Sequence, residues 1–166
     1  MDPVEHPRTT AGSTGAERRL AELGLELPPV ATPVASYVPV VVSGSLAFVA
    51  GQVPMAEGRL LWSGKLGHDM DVDAGAEAAR RCGLQALAAL RASLGSLDRV
   101  RRIVKVSVFV ASADGFTEQP KVANGASDLF VEVFGESGRH ARAAVGVSEL
   151  PLGAPVEVEV VAEVGP

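Results

Sequence analysis

The sequence predicts an α+β fold in which a mixed β-sheet is covered on one face by two helices. Residues 101–111 and 156–164 alternate apolar and polar side chains, as half-buried strands do. Residues 74–94 and 117–134 instead repeat apolar residues at spacings of three and four, which is typical of amphipathic helices. The chain is 47% hydrophobic but only 4% aromatic, so Val, Ala and Leu build its core.

The N-terminal region precedes this pattern. Residues 1–13 are rich in Pro, Gly, Ser and Thr, and we expect a loose tail followed by a single domain over 14–166. Thr14 and Glu17 have the spacing of a capping box, which predicts a short extra helix over 18–23 that ends at Gly24. Several prolines then favour an extended chain as far as Tyr37.

The first half of the sheet follows. Residues 38–43 and 46–50 are predicted strands, and the Ser-Gly-Ser turn at 43–45 joins them as a hairpin that ends at Gly51-Gln52-Val53-Pro54. A glycine-rich excursion over 58–71 contains 60–62, a candidate short extra strand.

The second half alternates helices and strands. The first long helix carries a stripe of small and apolar residues and should end at Gly95. The second has Pro120 in its first turn. Further strands are expected at 101–111, 142–147 and 156–164. The predicted helix faces comprise Ala79, Gly83, Leu87, Leu90 and Leu94 in the first helix and Val122, Ala126, Leu129, Phe130 and Val133 in the second.

Two helices can cover only one face of this sheet. On the strand at 101–111 the alternation places Val104, Val106, Val108 and Val110 towards the helices. The uncovered face would then show Ile103, Lys105, Ser107 and Phe109. Because a semi-apolar open face more often meets another subunit than water, we expect a homo-oligomer.

Charge and cysteine content exclude several classes of protein. The formal net charge is −5, so the basic footprint of a nucleic-acid-binding protein is missing, and Arg99, Arg101 and Arg102 are explained as a solvated strand end. A lone Cys82 excludes an internal disulfide and a cysteine-rich zinc site. His68 has no second histidine at metal-ligand spacing. With no signal sequence and no apolar stretch near the ~20 residues that span a bilayer, we expect a soluble cytoplasmic protein.

Arg142 and Glu157 carry the chemistry. Arg142 lies at the start of one predicted strand and Glu157 at the start of the next. If these strands are antiparallel neighbours, a planar cation and a carboxylate share one small ligand, as an anion clamp beside a proton carrier. The alternative is an ordinary strand-end arginine, paired with Glu149 or Glu157, and a solvent-facing glutamate.

These residues resemble those of the RidA/YjgF family, whose members also carry the names L-PSP endoribonuclease and translation inhibitor. The resemblance runs from about 37 to 164, and rests on the order of elements, on Gly51-Gln52-Val53-Pro54, on Arg142-Ala-Ala-Val, and on Leu150-Pro151 before the alternating glutamate strand. The N-terminal helix and the 58–71 excursion exceed the minimal family pattern and indicate a longer-chain branch.

The resemblance implies a chorismate-mutase-like fold and a homotrimer with ligand sites between subunits. It implies hydrolysis of reactive enamines and imines, such as 2-aminoacrylate, to 2-keto acids and ammonia, with no metal or cofactor. Arg142 would bind the substrate carboxylate and Glu157 would serve the water, while Tyr37, Asn124 and Ala144, the last through its backbone, would line the cleft. Ala50 and Ala144 replace a hydroxyl residue and a cysteine that are common in the family.

Three hypotheses follow from the sequence. The first is a cofactor-free, trimeric enamine/imine deaminase. The second is a non-catalytic trimer that binds a small carboxylate metabolite through Arg142. The third, an endoribonuclease, is disfavoured by the net acidity and by the absence of a catalytic histidine pair. Of the remaining polar candidates, Gln52 and Cys82 are interpreted as structural, and His140 as a weaker candidate for the cleft.

Overall fold

A computed structural model describes residues 15–166, which form a five-stranded mixed sheet with two long helices on one face. The sheet order is β1-β2-β7-β5-β6, and only the β5–β6 pair is parallel. The strands are β1 (Val40–Ser43), β2 (Leu46–Gln52), β5 (Val100–Ala111), β6 (Ala141–Val147) and β7 (Val156–Val164), with β3 (Met55–Ala56) and β4 (Arg59–Leu60) as a separate hairpin. The helices are α1 (Ala16–Glu22), α2 (Val72–Leu94) and α3 (Gln119–Phe134).

Local sequence explains where the long helices begin and end. The Asp71 side chain accepts a hydrogen bond from the Ala74 amide at 2.8 Å, which caps the first turn of α2. The α2 helix ends at Gly95, whose φ of 85° lies in the left-handed region that glycine adopts most easily. Pro120 occupies the first turn of α3, as predicted.

Small residues allow α2 and α3 to pack closely. A Cβ on Gly125 of α3 would overlap the carbonyl oxygen of Ala76 in α2, and a Cβ on Gly83 would press against Leu129 at 2.9 Å. Both predicted helix faces are buried along their whole length. The core therefore lies between these two helices and the inner face of the sheet.

The open face of the sheet differs from the prediction at one strand. The β5–β7 register shifts between Ile103 and Lys105, so Val104 is an extra, bulged residue. Ile103 consequently points into the core and is fully buried, whereas Val104 is exposed. The prediction was wrong for these two residues because a bulge reverses the alternation. It is confirmed for Lys105, Ser107 and Phe109, which lie outside the buried core.

The short N-terminal helix forms, but its cap comes from elsewhere in the fold. Thr14 of the predicted capping box lies outside the described residues. The Glu17 amide donates to Asp98 Oδ1 at 3.1 Å, and the Glu17 carboxylate accepts from the Leu97 amide and from Arg91. Glu17 thus ties α1 to the segment between α2 and β5 instead of closing its own helix.

The remaining elements depart from the predicted bounds by one or two residues at most ends. The predicted extra strand at 60–62 is replaced by the β3–β4 hairpin, which turns at Glu57-Gly58. None of the helices in residues 15–166 is long and apolar enough to cross a membrane.

Candidate functional site

Arg142 lies on the edge strand β6 and faces α3. Its position opposite Val106 in the parallel β5–β6 pair directs the side chain to the helix-covered side of the sheet. Arg142 Nη1 donates to Asn124 Oδ1 at 2.8 Å and to Ser127 Oγ at 3.1 Å, and Nη2 donates to the Pro120 carbonyl at 3.4 Å. Pro120, Asn124 and Ser127 are spaced at i, i+4 and i+7, so one stripe of α3 holds the guanidinium.

These contacts leave one edge of the guanidinium available. A guanidinium carries five N–H donors. Within residues 15–166, the Nε–H and the second Nη2–H of Arg142 have no hydrogen-bond acceptor. That edge has the spacing of a carboxylate, which it can bind through two parallel hydrogen bonds.

His140 extends this arrangement. Its Nδ1 lies 2.6 Å from the Gly138 carbonyl, its Nε2 lies 2.9 Å from Ser127 Oγ, and its ring packs edge-on against Phe130. Burial lowers the pKa of His140, the Gly138 carbonyl opposes that shift, and the nearby positive charge of Arg142 lowers the pKa further. Asn124, Ser127, His140 and Arg142 together are called the arginine cluster below.

Glu157 lies at the other side of the molecule, on the open face of the sheet. It pairs with Phe109 of β5, and Glu159 pairs with Ser107 on the same face. Burial raises the pKa of Glu157, and the charge of Glu159 raises it further. The carboxyl of Glu157 therefore holds a proton to higher pH than an ordinary glutamate does.

A bulge in β2 accommodates this carboxyl. Between Val49 and Gln52 two residues of β2, Ala50 and Gly51, lie opposite the single Glu159 of β7. Glu157 Oε1 occupies the place that a Cβ on residue 51 would take. Gly51 is therefore required by close approach, and the Gly-Gln element and Glu157 are parts of one structure.

Tyr37 borders a groove that reaches Gly51, the residue against which the Glu157 carboxyl lies. The groove has a volume of about 760 Å³ and lies between the extended segment 26–34 and the end of β2, where Gly51 and Gln52 line it. Tyr37 is 56% exposed. Gln52 donates to the Ala50 carbonyl at 3.0 Å, which supports the structural interpretation of this residue.

The expected pairing of Arg142 with Glu157 within one chain is wrong. Strand β5 lies between β6 and β7, so the two strands are not neighbours. The two side chains also point to opposite faces of the sheet. Asn124 does accompany Arg142, and Ala144 shares the Arg142 side of β6, whereas Tyr37 shares a groove with Gly51, which lies against Glu157. The five candidate residues thus fall into two separate groups, called the Arg142 half-site and the Glu157 half-site below.

Comparison with known proteins identifies the chain. The family model described as "YjgF/chorismate mutase-like, putative endoribonuclease" matches residues 17–164. This chain belongs to that family. The matched range of the YjgF family begins at Glu17, so it includes α1 and the segment that the sequence alone placed outside the family pattern.

Several YjgF family relatives and structures are similar along most of their length. Protein TCP17 of Trypanosoma cruzi is 51% identical over 145 residues, 87% of this chain and 91% of that protein. The crystal structure of Atu1372 from Agrobacterium tumefaciens, a protein of unknown function, is 46% identical with a TM-score of 0.84, covering 90% and 92% of the two chains. A "putative endoribonuclease" from Shewanella oneidensis is 38% identical with a TM-score of 0.86, covering 90% and 99%.

A more distant structure includes a ligand. Escherichia coli TdcF, solved with bound serine, is 26% identical to this chain with a TM-score of 0.57, covering 83% of this chain and 94% of TdcF.

Sequence reasoning missed two residues beside the candidate site residues. Ser127 was not singled out, although its position three residues after Asn124 places it on the same stripe of α3. Glu159 was not singled out either, but its charge acts on Glu157. In the described part of the chain, no three His, Cys, Asp or Glu side chains are grouped as a metal site would require.

Proposed function

We propose that this chain hydrolyses small reactive enamines and imines of the 2-aminoacrylate type to 2-keto acids and ammonia. The observation that carries the proposal is the guanidinium of Arg142, which α3 holds through three acceptors while its Nε/Nη2 edge stays available. A guanidinium immobilised in this way can bind a substrate carboxylate and fix the plane of the adjoining C=N group.

The chemistry needs water, proton transfers and a positioned substrate. Protonation of the enamine at C3 gives the iminium ion, and a water oxygen then forms a bond to the C2 carbon. One proton moves from that oxygen to nitrogen. The C–N bond then breaks as the C=O bond forms, ammonia leaves, and the remaining hydroxyl proton is released, which returns the proton that was added at C3. No electron acceptor takes part in this reaction, so besides binding the substrate the protein must add only a group that transfers protons. A carboxyl that accepts and returns a proton can do this.

Glu157 is the proposed proton carrier. Its raised pKa lets the carboxyl hold a proton to higher pH than an ordinary glutamate does, and the carboxylate form can accept one from water. Tyr37 and Gly51 line a groove with space for a substrate, and Gly51 lies against this carboxyl.

The two half-sites support a site between subunits. Arg142 and Glu157 face opposite sides of one sheet, so one chain alone does not bring them to a common ligand. We propose a homotrimer in which the Arg142 half-site of one copy meets the Glu157 half-site of the next. An open face with Phe48 and Val145 each 45% exposed provides apolar surface for such contacts.

The similarity to TdcF adds support for the ligand class. Serine has a carboxylate and an amino group on one carbon, as the proposed substrate has on C2. A fold that holds serine in TdcF therefore has the dimensions for this ligand class.

The decisive experiment measures turnover in an Arg142 series. With 2-aminoacrylate generated in situ, pyruvate formation above the uncatalysed rate should fall about a hundredfold or more in Arg142→Ala, since two charge-assisted hydrogen bonds are lost. Arg142→Lys should recover only part of it, because an ammonium cannot form the planar pair. Arg139→Ala is the matched control, since Arg139 is three residues away, 67% exposed and paired with Glu136.

Two results would redirect the assignment. Unchanged turnover in Arg142→Ala would rule out the carboxylate clamp. If no imine is hydrolysed but pyruvate binds and Arg142→Ala abolishes that binding, the chain is a carboxylate-binding protein and not a deaminase. Cleavage of a single-stranded RNA by the same preparation, lost in Arg142→Ala, would favour the endoribonuclease activity named in the family description.

A further inference from the structure

The arginine cluster contains a hydrogen-bond chain with a fixed direction. The Gly138 carbonyl can only accept, so the short contact of 2.6 Å places the proton of the neutral His140 ring on Nδ1. Nε2 then has a lone pair and accepts the Ser127 hydroxyl proton over 2.9 Å. The Ser127 oxygen keeps a lone pair towards Arg142 Nη1 at 3.1 Å.

We propose that Ser127 and His140 are positioning residues for Arg142, and that binding of a carboxylate at Arg142 is coupled to uptake of a proton by His140. This inference rests on the proposed role of Arg142 as the carboxylate clamp. Neither residue touches the substrate. Both act by setting the orientation and the electrostatic surroundings of the guanidinium.

The coupling follows from the shared oxygen. When His140 is protonated, Nε2 becomes a donor, and two cationic donors then compete for Ser127 Oγ while their charges repel. A carboxylate bound to Arg142 offsets the guanidinium charge and removes most of that repulsion. His140 therefore binds its proton more tightly in the complex, and by linkage the complex forms more readily when His140 is protonated.

The surroundings of His140 make this coupling specific. From β6 the charged neighbour is Arg142, while α3 contributes Ser127 and Phe130, and the turn before β6 contributes the Gly138 carbonyl. Within residues 15–166, Arg142 is the one charged side chain that acts on the pKa of His140. These neighbours determine the direction of the coupling. The pKa of His140 is lowered in the unliganded protein, and a carboxylate bound to Arg142 raises it. The affinity for the carboxylate therefore increases as the pH falls through the pKa of His140.

The test is an NMR titration of the histidine rings with pyruvate as the probe. In the wild-type protein, saturating pyruvate should raise the pKa of His140 and leave His68 unchanged, since His68 is 78% exposed and paired with Asp69. The signal of His140 is assigned by its loss in His140→Phe. In Arg142→Ala without ligand, the pKa of His140 should already be raised, and pyruvate should have no further effect.

The possible outcomes separate this inference from the proposed function. If calorimetry shows pyruvate binding that depends on Arg142 while the pKa of His140 stays constant, the inference is overturned and the clamp stands. If pyruvate does not bind at all, both are overturned. If the pKa of His140 is the same in Arg142→Ala and wild type, the repulsion that the coupling requires does not exist.

A serine series tests positioning separately from folding. Ser127→Ala removes the shared oxygen and should raise KM for the enamine about threefold to tenfold, with kcat changed less than about twofold. Ser127→Thr retains the hydroxyl and should restore KM. Equal KM values in wild type and Ser127→Ala, with Tm alone reduced, would show a merely structural role and contradict the inference.

Discussion

At the residue scale, Glu157, the proposed proton carrier, is destabilised in its charged form. Half-burial and the neighbouring Glu159 both disfavour its carboxylate. Gly51 then keeps the space into which the carboxyl projects. The same contacts that raise the pKa of Glu157 must therefore lower the stability of the folded state at neutral pH.

Glu157→Gln should separate activity from stability. Loss of the proton carrier should reduce kcat about 10²- to 10⁴-fold. Because the folded-state pKa is raised, the wild-type protein loses stability as the pH rises through that pKa, whereas a glutamine does not titrate. The Tm of Glu157→Gln should thus equal that of wild type in acid and exceed it at neutral pH. A difference in Tm that is constant across pH would contradict this account.

Glu159→Gln tests the cause of the raised pKa. Removing the Glu159 charge should lower the pKa of Glu157. Because the proposed first step needs the protonated carboxyl, the alkaline limb of the pH profile of kcat/KM should move to lower pH. Glu163→Gln, on the same strand, is the control, since Glu163 is not among the causes of the Glu157 shift. An alkaline limb that moves equally in both variants would show that Glu157 is not the titrating group.

At the element scale, the α2–α3 contact fixes the position of the arginine cluster. Asn124 and Ser127 hold Arg142 from α3, and Gly125 between them lies directly against the Ala76 carbonyl of α2. The separation of α2 and α3 is thus set at the same turn that holds the guanidinium. Displacement of α3 from α2 would displace the acceptors of Arg142 as well.

Gly125→Ala should be destabilising, although alanine is the better helix former by roughly 1 kcal/mol. The added Cβ would overlap a backbone carbonyl that cannot rotate away, and such overpacking typically destabilises a protein by about 1–3 kcal/mol. Denaturant unfolding measures the loss. Asp128→Ala, at an exposed position of α3, should change stability by no more than about 0.5 kcal/mol. A Gly125→Ala protein as stable as wild type would show that α2 and α3 separate freely.

At the scale of the whole molecule, the open face of the sheet is the surface that no helix covers within residues 15–166. The side chains on this face form rows that cross the strands. One such row runs through Val41 of β1, Phe48 of β2, Val161 of β7 and Lys105 of β5. Phe48 and Val41 are 45% and 52% exposed. Because Arg142 and Glu157 lie on opposite faces, the proposed activity requires the proposed assembly.

Phe48→Lys should therefore weaken association and activity together. A charge at the centre of the apolar row opposes burial, so light scattering should show a shift towards monomer, with an unchanged far-ultraviolet circular dichroism spectrum. Leu61→Lys is the matched control, because Leu61 is 46% exposed but lies outside the five-stranded sheet. A monomeric wild-type protein with full turnover would contradict the intersubunit site.

The sequence alone determined the elements and the chemistry of the individual side chains. Local pattern predicts the apolar–polar alternation of residues 101–111 and 156–164 and the apolar stripes of α2 and α3. Each of these patterns depends on residues only a few positions apart in the chain. Arg142, Asn124 and Glu157 were singled out by residue type and family resemblance.

The tertiary structure decided which residues meet. Strand β5 lies between β6 and β7, and a bulge in β5 places Ile103 in the core, where the sequence predicted Val104. Asp98 caps α1 from a distant segment of the chain, and the packing of α3 on β6 brings Ser127 and His140 to Arg142. Strand order, bulges and distant caps depend on contacts between segments far apart in the chain, and single-sequence periodicity contains no information about such contacts.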